Sequence, residues 1–205
     1  MSYKYKVDVS GVEYLDDEIK SANIINALFD KLSVGNACSS EFSITFWPKA
    51  PIPRMAELTP YIYHENVWRK LGVFYVDARR YVGDTVELVA YDSMLKADVI
   101  WEPEQSLEFP MSMKTAVNVI AALMGVTVDP RTNLSETYTI DYPANDYTLR
   151  DVLGYIAAAH GGNWVITAND QLLLVPLFSS MPDETNYLVS ENGDVVLIGG
   201  VRIIV

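Results

Sequence analysis

The chain has 205 residues, half of them apolar, so it can bury one large core or two smaller ones without covalent staples. Its 15 basic and 27 acidic residues leave a net charge of −12, which argues against a nucleic-acid binder, because affinity for phosphate depends on Lys and Arg. Cys38 is the single cysteine, which excludes an internal disulfide or a cysteine-built zinc site, and His64 and His160 are too few for most metal constellations. The opening MSYKYKVDVSGVEYLDDEIK has no apolar run and no small-residue cleavage site, so no leader peptide is expected. The apolar runs Val117–Val128 and Val195–Val205 fall short of the roughly 20 residues of a membrane helix, so a soluble chain is expected. The cysteine usage fits a reducing compartment, or one where redox does not matter.

From Tyr3 to Tyr91 the dominant signal is alternation with period two, the pattern of half-buried strands. A helix over Ser21–Leu32 interrupts it, with Ser21 as N-cap and Ile24, Ile25, Leu28 and Leu32 at helical spacing. In Glu41–Phe46 the apolar face is Phe42, Ile44 and Phe46. Pro48 to Arg54 holds prolines that cannot serve a central ladder, and reads as an extended loop. Tyr61 to His64 continues as a strand, His64-Glu65-Asn66 is a turn, and Val73–Ala78 is a strand. Gly83-Asp84 turns the chain into Thr85–Tyr91, whose apolar side is Val86, Leu88 and Ala90. These strands are expected to curl into a small antiparallel barrel or sandwich, a closed sheet.

After Ser93 the period changes. Ser112 caps a helix over Met113–Met124 with the stripe Met113, Val117, Ile120, Leu123 and Met124, stopped by Gly125. A short strand Val126–Val128 follows. Thr148 and Asp151 form a capping pattern for a helix striped by Leu149, Val152, Leu153 and Ile156 and ended by Gly161-Gly162. Asn163–Thr167 and Gln171–Leu177 form a hairpin around Ala168-Asn169-Asp170. From Phe178 the chain is polar and acidic until a final apolar strand over Val195–Val205. The class is α+β: a mainly antiparallel barrel-like domain over residues 1–94, a small α/β domain over 95–177, and an acidic linker with a terminal strand over 178–205.

Asp92 invites a catalytic reading, being a carboxylate at a strand end, but Asp followed by Ser93-Met94-Leu95 is also a good helix cap, and the cap is preferred on that ground. Paired acids could serve glycosidic hydrolysis, with Asp77 and Glu87 on neighbouring strands and Glu102, Glu104 and Glu108 in a loop; no sequence pattern selects a pair. No G-x-S-x-G occurs, and Cys38 reads as a small buried residue rather than a nucleophile. His64 lies beside a turn, while His160 lies in a last helical turn, where an imidazolium would suit the dipole. Gly161-Gly162 closes a helix instead of opening one, so it is no phosphate cradle. No catalytic, cofactor-binding or metal-binding residue is assigned. Thirteen tyrosines and four tryptophans leave a receptor- or carbohydrate-binding module as an alternative, alongside a tail-associated cell-wall hydrolase.

Three early runs and one later block carry a resemblance. Val34-Gly35-Asn36-Ala37-Cys38-Ser39-Ser40, Lys70-Leu71-Gly72 to Asp77, and Val89-Ala90-Tyr91-Asp92 to Leu95 precede Tyr147-Thr148 to Asp151, Gly161-Gly162 and Leu172–Leu174. Their order and spacing over residues 25–177 resemble the baseplate hub proteins of tailed phages, prophages and phage-tail-like particles, the late control D-like hubs. The resemblance implies a non-enzymatic part of the virion tail, assembled in the host cytoplasm, without cofactor or membrane. It implies a homotrimer whose partners are tail tube, baseplate and spike or tail-tip proteins, with DNA passing through without specific binding. It assigns structural roles to Gly35, Asn36, Gly72, Tyr91, Asp92, Thr148, Asp151, Gly161 and Gly162, and it makes residues 178–205 the start of a second tube domain.

Overall fold

Alternating apolar residues build the first sheet. The computed structural model describes residues 4–26, 33–102, 107–143, 145–177, 197–198 and 201–202. Strands β1 (Lys4–Val9) and β2 (Val12–Leu15) form a hairpin over Ser10 and Gly11, and a 3-10 turn at Asp16–Glu18 leads into β3 (Ile19–Ile25). After β4 (Asn36–Ala37) come β5 (Glu41–Phe46), β6 (Glu57–His64), β7 (Val67–Lys70), β8 (Phe74–Val82) and β9 (Thr85–Asp92). Glu65 and Asn66 both have positive φ, 52° and 64°, which suits the twist of the β6–β7 hairpin. Residues of the proline-rich segment after Phe46 lie outside any strand, as their missing N–H groups require.

The hydrogen-bonded order of this sheet is β2-β1-β6-β8-β9-β5-β3, with β7 also on β6. Its inward residues, among them Val7, Phe42, Ile44, Phe46, Leu58, Val86 and Leu88, form one core. Strands β2 and β3 stand at opposite ends of that order, yet only Asp16–Glu18 separates them in sequence. At about 3.5 Å per residue so short a link forces the two margins together, and the sheet curls. Tyr14 of β2 reaches Phe46 of β5 with ring centroids 4.5 Å apart.

A closed barrel does not result. Among the described residues no ladder joins β2 to β3. The loop after Phe46 bonds to β2: Lys49 Nζ donates to the Glu13 carbonyl at 2.8 Å, and the Lys49 amide donates to the Tyr14 hydroxyl at 2.9 Å. The expected helix is also absent where it can be judged. Ile19–Ile25 is a strand paired with β5, Ile24 opposite Phe42, and the rest of that expectation, residues 27–32, lies outside the described residues. The β-branched isoleucines suit a pleated surface, and the open flank of β5 supplied the partner that helical spacing alone could not reveal.

The second part is built on two helices. A 3-10 helix, Ser93–Ala97, follows β9, and β10 (Met111–Ser112) pairs with β12 (Thr139–Ile140). Helix α1 (Met113–Met124) starts where Ser112 Oγ accepts from the Thr115 amide at 3.0 Å, and it ends at Gly125, whose φ is 71°. Helix α2 (Leu149–Ala159) starts with a capping box between Thr148 and Asp151. Strands β11 (Thr127–Val128), β13 (Gly162–Ile166) and β14 (Gln171–Pro176) join β4 in a sheet of order β11-β14-β13-β4. Both helices bury their stripes with Trp164, Leu172 and Leu174. Leu123, expected in the α1 stripe, is 60% exposed, because Ala116 and Ala121 carry the buried face to the other flank.

Near the C-terminus β15 (Leu197–Ile198) and β16 (Val201–Arg202) pair antiparallel as a hairpin rather than one uninterrupted strand, with the hairpin-favouring Gly199-Gly200 between them in sequence. The acidic stretch from Phe178, and the rest of the expected terminal strand, lie outside the described residues. The observed class is α+β. Replacing Phe46, fully buried at the meeting of the sheet margins, with Ala is expected to cost about 3–5 kcal/mol in urea unfolding. A cost under about 1 kcal/mol would show that the margins do not depend on this contact.

Candidate functional site

Several of the residues singled out in the sequence gather where the curled sheet meets the helical part, at a strap formed by Ser33–Ser40. Two chain passages cross there, Ser33–Ser40 and Asp92–Asp98. Asp92 ends β9 with 3% exposure. Its carboxylate accepts from the Ser40 amide at 2.7 Å, the Ser39 hydroxyl at 3.0 Å and the Met94 amide at 3.0 Å. The last of these caps the 3-10 helix, and the first two tie the strap to it. Burial pushes the carboxyl above the usual aspartate range, while the donors from Ser40, Met94 and Ser39 pull against that.

Arg150, in the first turn of α2, joins the same place from the other side. Its Nη1 donates to the Ala37 carbonyl and its Nη2 to the Met94 carbonyl, both at 2.9 Å, and Nη2 also reaches Asp98 Oδ2 at 2.9 Å. Asn163, fully buried on β13, accepts through Oδ1 from the Asn36 amide at 2.8 Å and side chain at 2.9 Å, and its Nδ2 donates to the Ser33 carbonyl at 2.8 Å. The strap lies so close to α2 that a Cβ on Gly154 would stand 2.9 Å from the Gly35 carbonyl. Gly35 itself has a φ of 87°.

The structure thus brings Gly35, Asn36 and Asp92 together, and adds Arg150 and Asn163, which sequence reasoning missed. Arg150 reads as an ordinary exposed helical residue. Asn163 carries one usable signal, an amide at a strand position after Gly-Gly, where a polar residue needs a reason. Thr148 and Asp151 sit at the same helix start. The Thr148 hydroxyl donates to Asp151 Oδ2 at 2.7 Å and the Thr148 amide at 2.9 Å, and these bonds hold the Asp151 carboxyl below its usual value. Gly161 and Gly162 follow α2, and a Cβ on Gly162 would meet the Val175 carbonyl at 2.7 Å. Gly72 lies apart from the joint, against the Phe74 ring. Tyr91 donates to Glu41 Oε2 at 3.3 Å.

Other candidate chemistry falls in separate places. Glu87 stands opposite Arg80 in the β8–β9 ladder, with Asp77 at a bulge three residues farther along, so these two acids are not cross-strand partners. Glu104 lies outside the described residues. Burial raises the Cys38 thiol, which suppresses thiolate. His64 Nδ1 is 3.5 Å from Glu65. His160 is placed differently from the expected imidazolium: its Nε2 accepts from the Ser135 amide at 3.0 Å and its Nδ1 meets the Ile156 carbonyl at 2.8 Å, roles of a neutral ring. Beside it a cavity of about 540 Å³ of mixed character is lined by Arg131, Asn133, Ser135 and Tyr138 together with Ala159, Leu174 and Pro176. Arg131 grips Asp129 through Nε and Nη2 at 2.9 and 2.7 Å and holds its carboxyl down to about 2. Among the described residues no group of three or more His, Cys, Asp or Glu could hold a metal ion.

Two surfaces of the curled sheet remain open. The outer flank of β3 has no ladder partner among the described residues, and Lys20 to Asn23 are exposed along it. Beside β3 an apolar slot of about 380 Å³ is lined by Tyr5, Val7, Ile24, Phe42, Pro60 and Ile62.

This architecture is similar to that of proteins of known structure. The 43 kDa tail protein of prophage MuSo2 from Shewanella oneidensis matches over 96% of the chain with a TM-score of 0.62 and 14% identity. Its fold resembles that of phage tail proteins. A tail protein from Neisseria meningitidis MC58 matches over 85% with a TM-score of 0.59 and 17% identity. Prophage tail protein gp18 from Listeria monocytogenes EGD-e matches over 92% with a TM-score of 0.51 and 10% identity. The chain spans 61%, 50% and 55% of these three proteins' lengths. No protein-family model matches the sequence, and no curated protein does.

The raised Asp92 carboxyl sets a pH dependence. A group that binds its proton more tightly when folded contributes stability below its unfolded pKa and loses it as pH rises through the folded value. Urea unfolding across the acidic range should therefore show the difference between wild type and Asp92→Asn moving in favour of the variant as pH rises above the ordinary aspartate value. A difference that stays constant, or moves toward the wild type, would mean that the hydrogen bonds outweigh burial.

Proposed function

We propose that this chain is a structural part of a phage or prophage tail, acting in the baseplate hub between tail tube and spike or tip. The observation that carries the reading is the fold likeness to the MuSo2 tail protein over 96% of the chain. A curled sheet with an unpaired flank on β3 suits a body that meets neighbours edge to edge, since unpaired strand edges are otherwise an aggregation hazard. The excess of acidic residues suits a particle through which DNA must move without adhering. In this reading the chain works by assembly and performs no catalysis. In this reading it forms a homotrimer, joined by tail tube, baseplate and spike or tail-tip proteins.

Deleting the gene from a lysogen and examining induced particles by negative-stain microscopy tests the proposal. The expected result is loss of complete tails, restored by supplying the protein in trans, with label on the chain at the tail tip. Normal tails without the protein would overturn the reading. Lysis of cell walls by the purified chain would overturn the non-enzymatic part alone.

A further inference from the structure

The register of the first sheet places an unusual set of side chains on one outward face. Lys4, Tyr63 and Trp68 stand opposite one another across β1, β6 and β7, and Lys6, Tyr61 and Lys70 form the next row. Register puts all six on the same side, because directly opposed residues, and residues two apart along one strand, share a face of the sheet. Lys6 Nζ lies 4.9 Å from the centroid of the Trp68 ring and 5.4 Å from that of Tyr61, and the Tyr63 and Trp68 centroids are 5.2 Å apart. Trp68 keeps 37% of its surface exposed. Lys6 is paired with Glu13 at 2.6 Å, while Lys4 and Lys70 have no ion pair among the described residues. On a chain of net charge −12, three lysines framing three aromatic rings are a local reversal of sign.

We propose that this face docks an acidic, extended segment of a partner protein. Neighbouring strands lie about 4.8 Å apart and residues two apart in a strand about 7 Å apart, so Lys4 and Lys70 are separated by roughly 12 Å on the diagonal. Carboxylates four residues apart in an extended segment span a similar distance, about 13 Å, with the residue midway over the rings. Aromatic side chains with a cationic rim are what interface centres favour. Protein fits better than nucleic acid: the Lys6 ammonium occupies the face of Trp68 on which a base would stack, and the surrounding acidity repels a continuous polyanion. The inference stands on this geometry alone and does not depend on the tail reading.

The test uses the full chain, the indole N–H resonance of Trp68, and a synthetic peptide of about ten alternating Glu and Ser residues, whose carboxylates recur every ~7 Å when extended. The expected result is a saturable shift of that resonance which weakens as salt is raised, and which Lys4→Glu/Lys70→Glu weakens about tenfold or more. Arg80→Glu/Lys114→Glu, the same charge change elsewhere on the surface, should leave the shift unaltered, and unfolding midpoints should show that both variants fold. No shift in the wild type, equal loss in both variants, or a larger response to an oligothymidylate of similar length would each overturn the proposal.

Discussion

The fold turns on one buried carboxylate. Asp92 sits where the last strand of the curled sheet becomes the first turn of the helical part, and its donors come from both passages that cross the boundary. A carboxylate out of water is costly unless its oxygens are satisfied, and here Ser39, Ser40 and Met94 satisfy them. Meeting that requirement fixes the strap against the strand end. Arg150 and Asn163 then fix the same strap against α2 and β13. Two cores with no apolar residue in common are thereby held through polar groups that tolerate little change in geometry.

Local chemistry was legible in the sequence. The caps at Ser112, Thr148 and Asp92, the left-handed stop at Gly125, and the turns at Glu65-Asn66 and Gly83 are each specified by one or two residues. The alternating strands β5 and β9 were legible for the same reason: their apolar sides are regular and all buried. Long-range pairing was not. Ile24 and Ile25 fit either period, and the choice was made by β5, a strand lying farther along the chain. The missing ladder between β2 and β3, and the bonds of the loop residue Lys49 to β2, leave no trace in local pattern. At the joint, Asp92 announced itself by position, whereas Arg150 depends on carbonyls more than 50 residues away in sequence.

The arrangement divides labour between interior and surface. The joint turns its polar groups inward, onto the Ser33–Ser40 passage and the start of the 3-10 helix. Outward, the sheet keeps an unpaired flank at β3, an apolar slot beside it, and a lysine-framed aromatic face on β1, β6 and β7. A fixed joint between the two halves would transmit the placement of one half to the other.

Native-state hydrogen exchange with rising denaturant tests this coupling most directly, comparing amides of β9 in the curled sheet with amides of α2 in the helical part. If the joint unites the cores, the two sets open together in the wild type and separate into two transitions in Arg150→Met/Asn163→Ala. Independent opening in the wild type, or unchanged joint opening in the variant, would contradict the account.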